Sequence, residues 1–138
     1  MMIGCVRGSL EMDVYLSQGL NQDHPLPVDV VAVCDPKMLD ELLRLNAHQW
    51  FGAKFWFQRR FREGRDFQVW SWEWVPGQDF GLVQRRINCR TLAILVFAGY
   101  RGEGTYRAYI RDLHRFRLEL HDTDFGVFPI EVGSVRNP

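Results

Sequence analysis

Side chains able to do chemistry are few in this 138-residue chain, and they do not form a recognisable catalytic pattern. Asp35 and Asp40 are one pair of carboxylates, but Asp35 is typical of a helix start. Asp122 and Asp124 are another, in a segment typical of a turn. No serine lies in a nucleophile elbow, and no glycine loop resembles one that cradles phosphate. We therefore predict that the protein is not an enzyme, with an unrecognised periplasmic hydrolase as an alternative.

The sequence also predicts no metal site, no cofactor and no nucleic-acid partner. The 17 basic residues balance 17 acidic ones, so no overall field attracts a polyanion. A local group of arginines is either a basic patch or the solvated end of a helix: Arg59, Arg60, Arg62 and Arg65. No Cys-x-x-Cys pair occurs, and the histidines do not fall at zinc-ligand spacings: His24, His48, His114 and His121.

The chain begins with a short motif whose chemistry would be covalent attachment of lipid. Met2-Ile3-Gly4-Cys5 has the order apolar, apolar, small, cysteine that ends the signal peptide of a bacterial lipoprotein. Cleavage before Cys5 would make it the acylated first residue, whereas the alternative is a free cysteine in a frayed tail. On the first interpretation residues 1–8 are a signal remnant and lipid tether, and residues 9–138 are one domain.

The two remaining cysteines allow two interpretations. Cys34 and Cys89 lie on or near predicted strands, so they could pair in an oxidising compartment. The alternative is two small buried apolar residues.

Three tryptophans alternate along one predicted strand and share a face: Trp70, Trp72 and Trp74. They could fill the interior between the sheet and a helix, because each indole buries a large area. The alternative is an exposed aromatic platform that binds a sugar or a protein.

Hydrophobic periodicity predicts the elements that must position these residues. Strands are expected at 9–16, 28–33, 67–75, 80–87, 92–100, 105–110, 115–120 and 125–132. Asp35 and Pro36 begin a helix, which we expect to reach about Gln49 and to give way to an irregular or strand-like stretch up to Phe61. Alternation places Asp29 on the same strand face as Val31 and Val33.

About eight short strands separated by turn signals predict an all-β fold. We expect a two-sheet antiparallel β-sandwich with a helical insertion between strands 2 and 3. Segment 92–100 is apolar on both faces, as in a central strand that is covered on both sides. No apolar run approaches the roughly 20 residues that a membrane-spanning helix needs.

Several motifs, in matching order, resemble the outer-membrane lipoproteins of the bacterial type VI secretion membrane complex, the TssJ family. That family has a lipobox cysteine, a first strand, a proline-rich loop, an apolar strand, a helical insertion, a turn and a late apolar strand. The corresponding segments are Met2-Ile3-Gly4-Cys5, residues 19–27 running into 28–33, residues 48–51, the turn 75–78, and the strand 92–101 followed by 106–108. The likeness covers most of the chain from Cys5 to about Ile110.

The resemblance implies a transthyretin-like β-sandwich with a structural function. Acyl chains on Cys5 would hold the domain on the outer membrane, facing the periplasm, where it would bind the periplasmic C-terminal domain of an inner-membrane TssM-type protein. The family's partner-binding loop corresponds to Leu20, Asn21, Gln22, Asp23 and His24.

Two alternatives to this implied function come from the residues themselves. The segment around Asn21 could be a plain connecting loop, with Asn21 in a left-handed turn conformation. The whole domain could instead be a periplasmic glycan- or peptide-binding module that uses Trp70, Trp72 and Trp74.

Overall fold

A computed structural model of the chain describes residues 8–78, 80–111 and 114–130. These residues form two four-stranded sheets packed face to face, which confirms the predicted β-sandwich, and two helices lie between strands 2 and 3. The elements are β1 (Gly8–Leu16), β2 (Leu26–Val33), α1 (Pro36–Leu42), α2 (Ala47–Arg60), β3 (Phe67–Trp74), β4 (Leu82–Ile87), β5 (Ala93–Ala98), β6 (Arg107–Ile110), β7 (Arg115–Leu120) and β8 (Phe125–Pro129).

Strand pairing is antiparallel with one exception in the described part of the chain. One sheet has the order β4-β1-β7-β8 and the other β3-β2-β5-β6. Strands β1 and β7 run parallel, with Met12 opposite Phe116. The other pairs are antiparallel, and β5 is buried along its whole length between β2 and β6, as its apolar sequence predicted.

The alternation of β2 divides the core into two layers. Val28, Val30 and Ala32 face the opposite sheet and belong to the core between the sheets. Val31 and Val33 point the other way and pack in a second cluster with side chains of α1, α2 and β5. Burial on both faces explains why this strand is almost entirely apolar.

The tryptophans of β3 do share a face, but that face is turned away from the helices. Trp74 is 1% exposed in the core between the sheets, and Trp70 and Trp72 are half-buried against the same core. The rings of Trp72 and Trp74 stack with centroids 5.4 Å apart. These indoles therefore neither fill the space under a helix nor form a fully exposed platform.

The helical insertion is longer than the sequence predicted. Asp35 caps α1 by accepting a hydrogen bond from the backbone N–H of Met38, as expected. The stretch expected to be irregular after Gln49 is instead the body of α2. Its start is a capping box, in which the Asn46 side chain accepts from the N–H of Gln49 and the Gln49 side chain accepts from the N–H of Asn46.

A buried polar cluster connects α2 to the sheet beneath it. The carboxylate of Asp29 is 2% exposed and accepts hydrogen bonds from Trp50 Nε1 and Lys54 Nζ, each at 2.9 Å. Trp50 also stacks on Phe97 of β5 with ring centroids 5.2 Å apart. Asp29 thus fixes the rotation of α2 about its axis, because two residues one turn apart on the helix share the same acceptor.

We call the end of the sandwich at which β1 begins the amino pole, formed by Gly8, residues 61–66 and residues 88–92. Gly8 lies opposite Ile87 of β4, and the side chain of Gln68 bonds the backbone of Arg86 and Asn88. A disulfide joins Cys34, just after β2, to Cys89, between β4 and β5. These links hold the ends of both sheets together at this pole.

Candidate functional site

Three connections meet at the other end of the sandwich, which we call the loop pole. They are residues 17–25 between β1 and β2, residues 99–106 between β5 and β6, and residues 121–124 between β7 and β8. Backbone hydrogen bonds and buried side chains join all three, so the predicted partner-binding loop is part of a larger rigid surface.

The loop between β1 and β2 has an unusual backbone. Asn21, Gln22 and Asp23 have φ angles of 50°, 53° and 67°, so three consecutive non-glycine residues are left-handed. Asparagine and aspartate tolerate this region, whereas glutamine does so at a cost of about 1–2 kcal/mol. Strain of this kind is held only where surrounding contacts determine the backbone, and it is found most often at functional sites.

Asn21 supplies those contacts. Its side chain is 2% exposed, its Nδ2 donates to the carbonyl oxygen of Pro25 at 2.9 Å, and its Oδ1 accepts from the N–H of Arg101 at 3.1 Å. Leu20 is also fully buried, in the core between the sheets. Of the five residues predicted to bind the partner, Leu20 and Asn21 therefore support the loop from inside, and Gln22, Asp23 and His24 form its surface.

His24 and Arg101 join this surface to the neighbouring connection. Arg101 Nη1 lies within hydrogen-bond distance of both ring nitrogens of His24, 2.9 Å from Nδ1 and 2.6 Å from Nε2, and Nδ1 also lies 2.9 Å from the carbonyl oxygen of Gln22. An arginine can only donate, so the imidazole accepts from the guanidinium. The exposed rim of the loop pole thus carries a carboxylate at Asp23, and a guanidinium at Arg101 that contacts the ring of the next residue, His24.

The turn after β7 packs directly on the loop. Ser17 Oγ donates to Asp122 Oδ1 at 2.8 Å. A Cβ atom at Gly19 would lie 2.6 Å from the same carboxylate, so a larger residue at this position would have to displace the Asp122 side chain. Tyr100, 1% exposed, reaches the turn from the connection after β5. Its hydroxyl lies 2.7 Å from the carbonyl oxygen of Asp124 and accepts from the N–H of His121.

Burial raises the pKa of the Tyr100 hydroxyl well above its ordinary value of 10.0. A raised pKa in the folded state stabilises the fold below the unfolded pKa, and this contribution is lost as the pH rises through the folded pKa. We expect the unfolding free energy to fall above about pH 10 and Tyr100→Phe to flatten that fall. Urea unfolding of the wild-type protein and of Tyr100→Phe at about pH 8 and about pH 11 measures the alkaline fall in the free energy of unfolding. Tyr109→Phe, which removes an exposed phenol, is the control, and an unchanged alkaline fall in Tyr100→Phe would contradict the expectation.

The loop pole contains open recesses. A recess of about 560 Å³ lies between residues 103–108 and 123–127. Another, of about 290 Å³, is lined by the left-handed turn, Tyr100, Tyr106 and the turn at Asp122, and a third, of about 370 Å³, lies between residues 46–48 and 101–104. No group of three or more histidine, cysteine or acidic side chains that could hold a metal occurs among the described residues. Shallow recesses on a rigid rim suit contact with another protein better than enclosure of a small molecule.

Comparison with known proteins rests on structure alone. No family model matches the sequence, and no curated protein matches it. The T6SS lipoprotein TssJ1 from Pseudomonas aeruginosa matches with a TM-score of 0.69 at 15% identity, over 90% of this chain and 97% of that one. Serratia marcescens Lip, a membrane-bound component of the type VI secretion system, matches with a TM-score of 0.62 at 14% identity, over 91% and 97%. This chain has a TssJ-like fold.

The TssJ-like fold confirms the resemblance inferred from the order of the sequence motifs. A further match is a chain in a structure described as T6SS protein TssM C-terminal domain (869–1107) from EAEC, with a TM-score of 0.59 and 12% identity over 88% of this chain and 98% of that one. The match covers nearly all of that chain, so that chain is about as long as this one. It is therefore shorter than the residue range 869–1107 in the description of its structure.

Other residues singled out in the sequence lie away from the loop pole or outside the described residues. Cys5 falls in residues 1–7, which the structure does not describe. The disulfide of Cys34 and Cys89 lies at the amino pole. Sequence reasoning included Tyr100 and Arg101 only in the motif that ends the late apolar strand and did not assign them to the site, although a tyrosine and an arginine at the end of a buried strand are a signal of a polar contact there. No described helix of this TssJ-like fold is both long and apolar enough to span a bilayer.

Proposed function

We propose that this protein is a periplasmic lipoprotein of a type VI secretion membrane complex, anchored in the outer membrane through Cys5. In that role it binds the periplasmic C-terminal domain of an inner-membrane TssM-type protein and has no catalytic activity. The observation that carries the proposal is the left-handed turn of residues 21–23, held by buried Asn21 at the rim of a TssJ-like sandwich.

The turn supports a binding role because it is ordered before any partner arrives. Asn21 bonds both Pro25 and Arg101, so the exposed side chains of Gln22, Asp23 and His24 stand on a backbone with little freedom to lose. A preorganised loop lowers the entropic cost of association. The rim also exposes the negative charge of Asp23 and the positive charge of Arg101, which favour a partner surface that carries charges of the opposite sign.

The cysteines support the proposed compartment. A disulfide between Cys34 and Cys89 is stable in the oxidising periplasm and rare in the reducing cytosol. Cys5 would then be left as the single cysteine outside a disulfide, in the sequence context of a lipoprotein signal. A fully acylated cysteine carries several lipid chains, which is enough for stable membrane attachment.

Replacement of the exposed side chains of the turn tests the binding site. We expect the triple variant Gln22→Ala, Asp23→Ala and His24→Ala to bind the TssM-type periplasmic domain at least about tenfold more weakly, a loss of about 1.4 kcal/mol. The control is Lys37→Ala with Arg90→Ala, two exposed residues at the opposite end of the sandwich. Titration by biolayer interferometry gives the dissociation constants.

The outcomes distinguish failure of the proposed binding site from failure of the proposed function. Wild-type affinity in a folded triple variant would exclude the turn as the binding site. Absence of binding by the wild-type chain would overturn the assigned partner. Metabolic labelling with a fatty acid tests the lipid anchor independently, and we expect Cys5→Ala to lose the label. An unlabelled wild-type protein would contradict lipid attachment at Cys5.

A further inference from the structure

We propose that the exposed end of α2 rests on an anionic phospholipid surface through Phe55, Trp56 and the neighbouring arginines. This inference deepens the proposed function and rests on its lipid anchor, because it states which face of the tethered domain lies on the membrane. The occupant is a bilayer containing negatively charged headgroups.

Phe55 and Trp56 are exposed far beyond what a folded domain needs. Phe55 is 73% exposed and Trp56 is 52% exposed, although both lie on a well-capped helix whose other face is buried. Adjacent large aromatics on a surface mark a site of contact with a membrane or another macromolecule. Trp56 is held in place by the guanidinium of Arg60, 4.1 Å from its ring.

The charge around these rings is positive. Residues 59–66 contain four arginines and two acids. Arg60 pairs with Glu41 and Arg65 with Asp66, whereas Arg59 and Arg62 make no ion pair among the described residues. Arg59 lies one helical turn after Phe55, and Arg62 follows the end of α2, so both are available at the end of the helix that carries the two exposed rings. Glu63 is the acid of this segment outside these pairs, so the local charge balance stays positive.

This composition matches the interface of an anionic bilayer. Tryptophan and phenylalanine rings partition to the level of the headgroups, where one side of the ring is in an apolar environment and the other is hydrated. Guanidinium groups donate paired hydrogen bonds to phosphate oxygens. An exposed helix end with aromatic and basic residues is thus suited to lie on such a surface.

The position of the patch fits the position of the anchor. The last turn of α2 runs into residues 61–66, which belong to the amino pole, and Gly8 begins β1 at the same pole. Cys5 is three residues before Gly8, so a lipid on Cys5 would hold the start of β1 within about 10 Å of its attachment point. The loop pole with its left-handed turn would then point away from the membrane.

Proximity makes a weak surface contact effective. An untethered patch of two rings and two arginines binds vesicles only transiently. Tethering raises its effective concentration at the surface, so the same contact becomes populated. The contact would fix the orientation of the domain, which a flexible tether cannot do.

The experiment uses the full chain, unacylated, coupled through the Cys5 thiol to a maleimide lipid in vesicles. Vesicles of phosphatidylcholine alone are compared with vesicles that also contain phosphatidylglycerol, both carrying brominated acyl chains that quench nearby indoles. We expect quenching only in the anionic vesicles, weaker at high salt, and reduced at least about threefold in Trp56→Phe and in the Arg59→Gln, Arg62→Gln variant. Leu82→Ser is the control, since Leu82 is 63% exposed at the far end of β4.

Three results would overturn the inference. The first is equal quenching of tryptophan fluorescence in neutral and anionic vesicles, or equal quenching of Trp56→Phe and the wild-type protein in anionic vesicles. The second is loss of affinity for the TssM-type domain in Phe55→Ser, which would make the patch a protein-binding face. The third is self-association that Phe55→Ser abolishes, measured by sedimentation. Because the tether is chemical, these results do not depend on acylation in the cell, which the labelling of Cys5 tests separately.

Discussion

Asp29→Ala is expected to lower the free energy of unfolding by about 3–5 kcal/mol. The Asp29 carboxylate is the acceptor for both Trp50 Nε1 and Lys54 Nζ beneath α2. Its removal leaves an ammonium group, whose side chain is 21% exposed, without its counter-charge, and a buried indole N–H without an acceptor. An orphaned buried charge is far more destabilising than the intact pair is stabilising.

Urea unfolding followed by circular dichroism measures this loss. The matched control is Asp40→Ala, which breaks the Asp40–Arg44 pair on the surface of α1, where the two side chains are 70% and 74% exposed. We expect that variant to lose less than about 1 kcal/mol, because water screens an exposed pair. Similar losses in the two variants would show that the Asp29 cluster does not hold α2 on the sheet.

Reduction of the disulfide between Cys34 and Cys89 is expected to lower the free energy of unfolding by about 4 kcal/mol. The bond closes a loop of 55 residues that contains both helices, β3 and β4, so it removes much of the freedom of the unfolded chain. The double variant Cys34→Ala, Cys89→Ala should show the same loss and should not respond to reductant. Both proteins carry Cys5→Ser, which prevents exchange with a third thiol.

Guanidinium unfolding with and without dithiothreitol gives the effect, and a thiol titration of the unfolded chain counts free cysteines. If the Cys5→Ser protein has the same free energy of unfolding with and without dithiothreitol, the expectation is contradicted. The result also bears on the compartment, because a domain that depends on this bond would be poorly stable in a reducing cytosol.

Local patterns predicted most of the elements. Alternation in β2 assigned Val28, Val30 and Ala32 to one face and Asp29 to the other, as the structure shows, since successive side chains of a strand point to opposite sides. Asp35 followed by Pro36 marked the start of α1 for an equally local reason. Helix α2 was missed after Gln49 because aromatic residues occupy both its buried and its exposed faces, which hides the helical period.

Sequence reasoning located the partner-binding loop in the chain but did not predict the contacts that hold its conformation. A left-handed Asn21 is a local preference that sequence reasoning included, but its burial depends on Arg101, which is 80 residues away in the chain. The same holds for the tryptophans of β3, whose shared face was predicted and whose neighbours were not. Contacts between distant segments have no periodic signature in a single chain.

The amino-acid sequence by itself determined the strands, the helix caps and the order of motifs that matches a TssJ-like sandwich, because each depends on neighbours a few residues apart. Only the tertiary structure decided which face of β3 meets the core, the parallel pairing of β1 with β7, and which loop residues reach the surface. Those features are set by packing between segments far apart in the chain, where burial and hydrogen bonding select one arrangement among many that the local pattern allows.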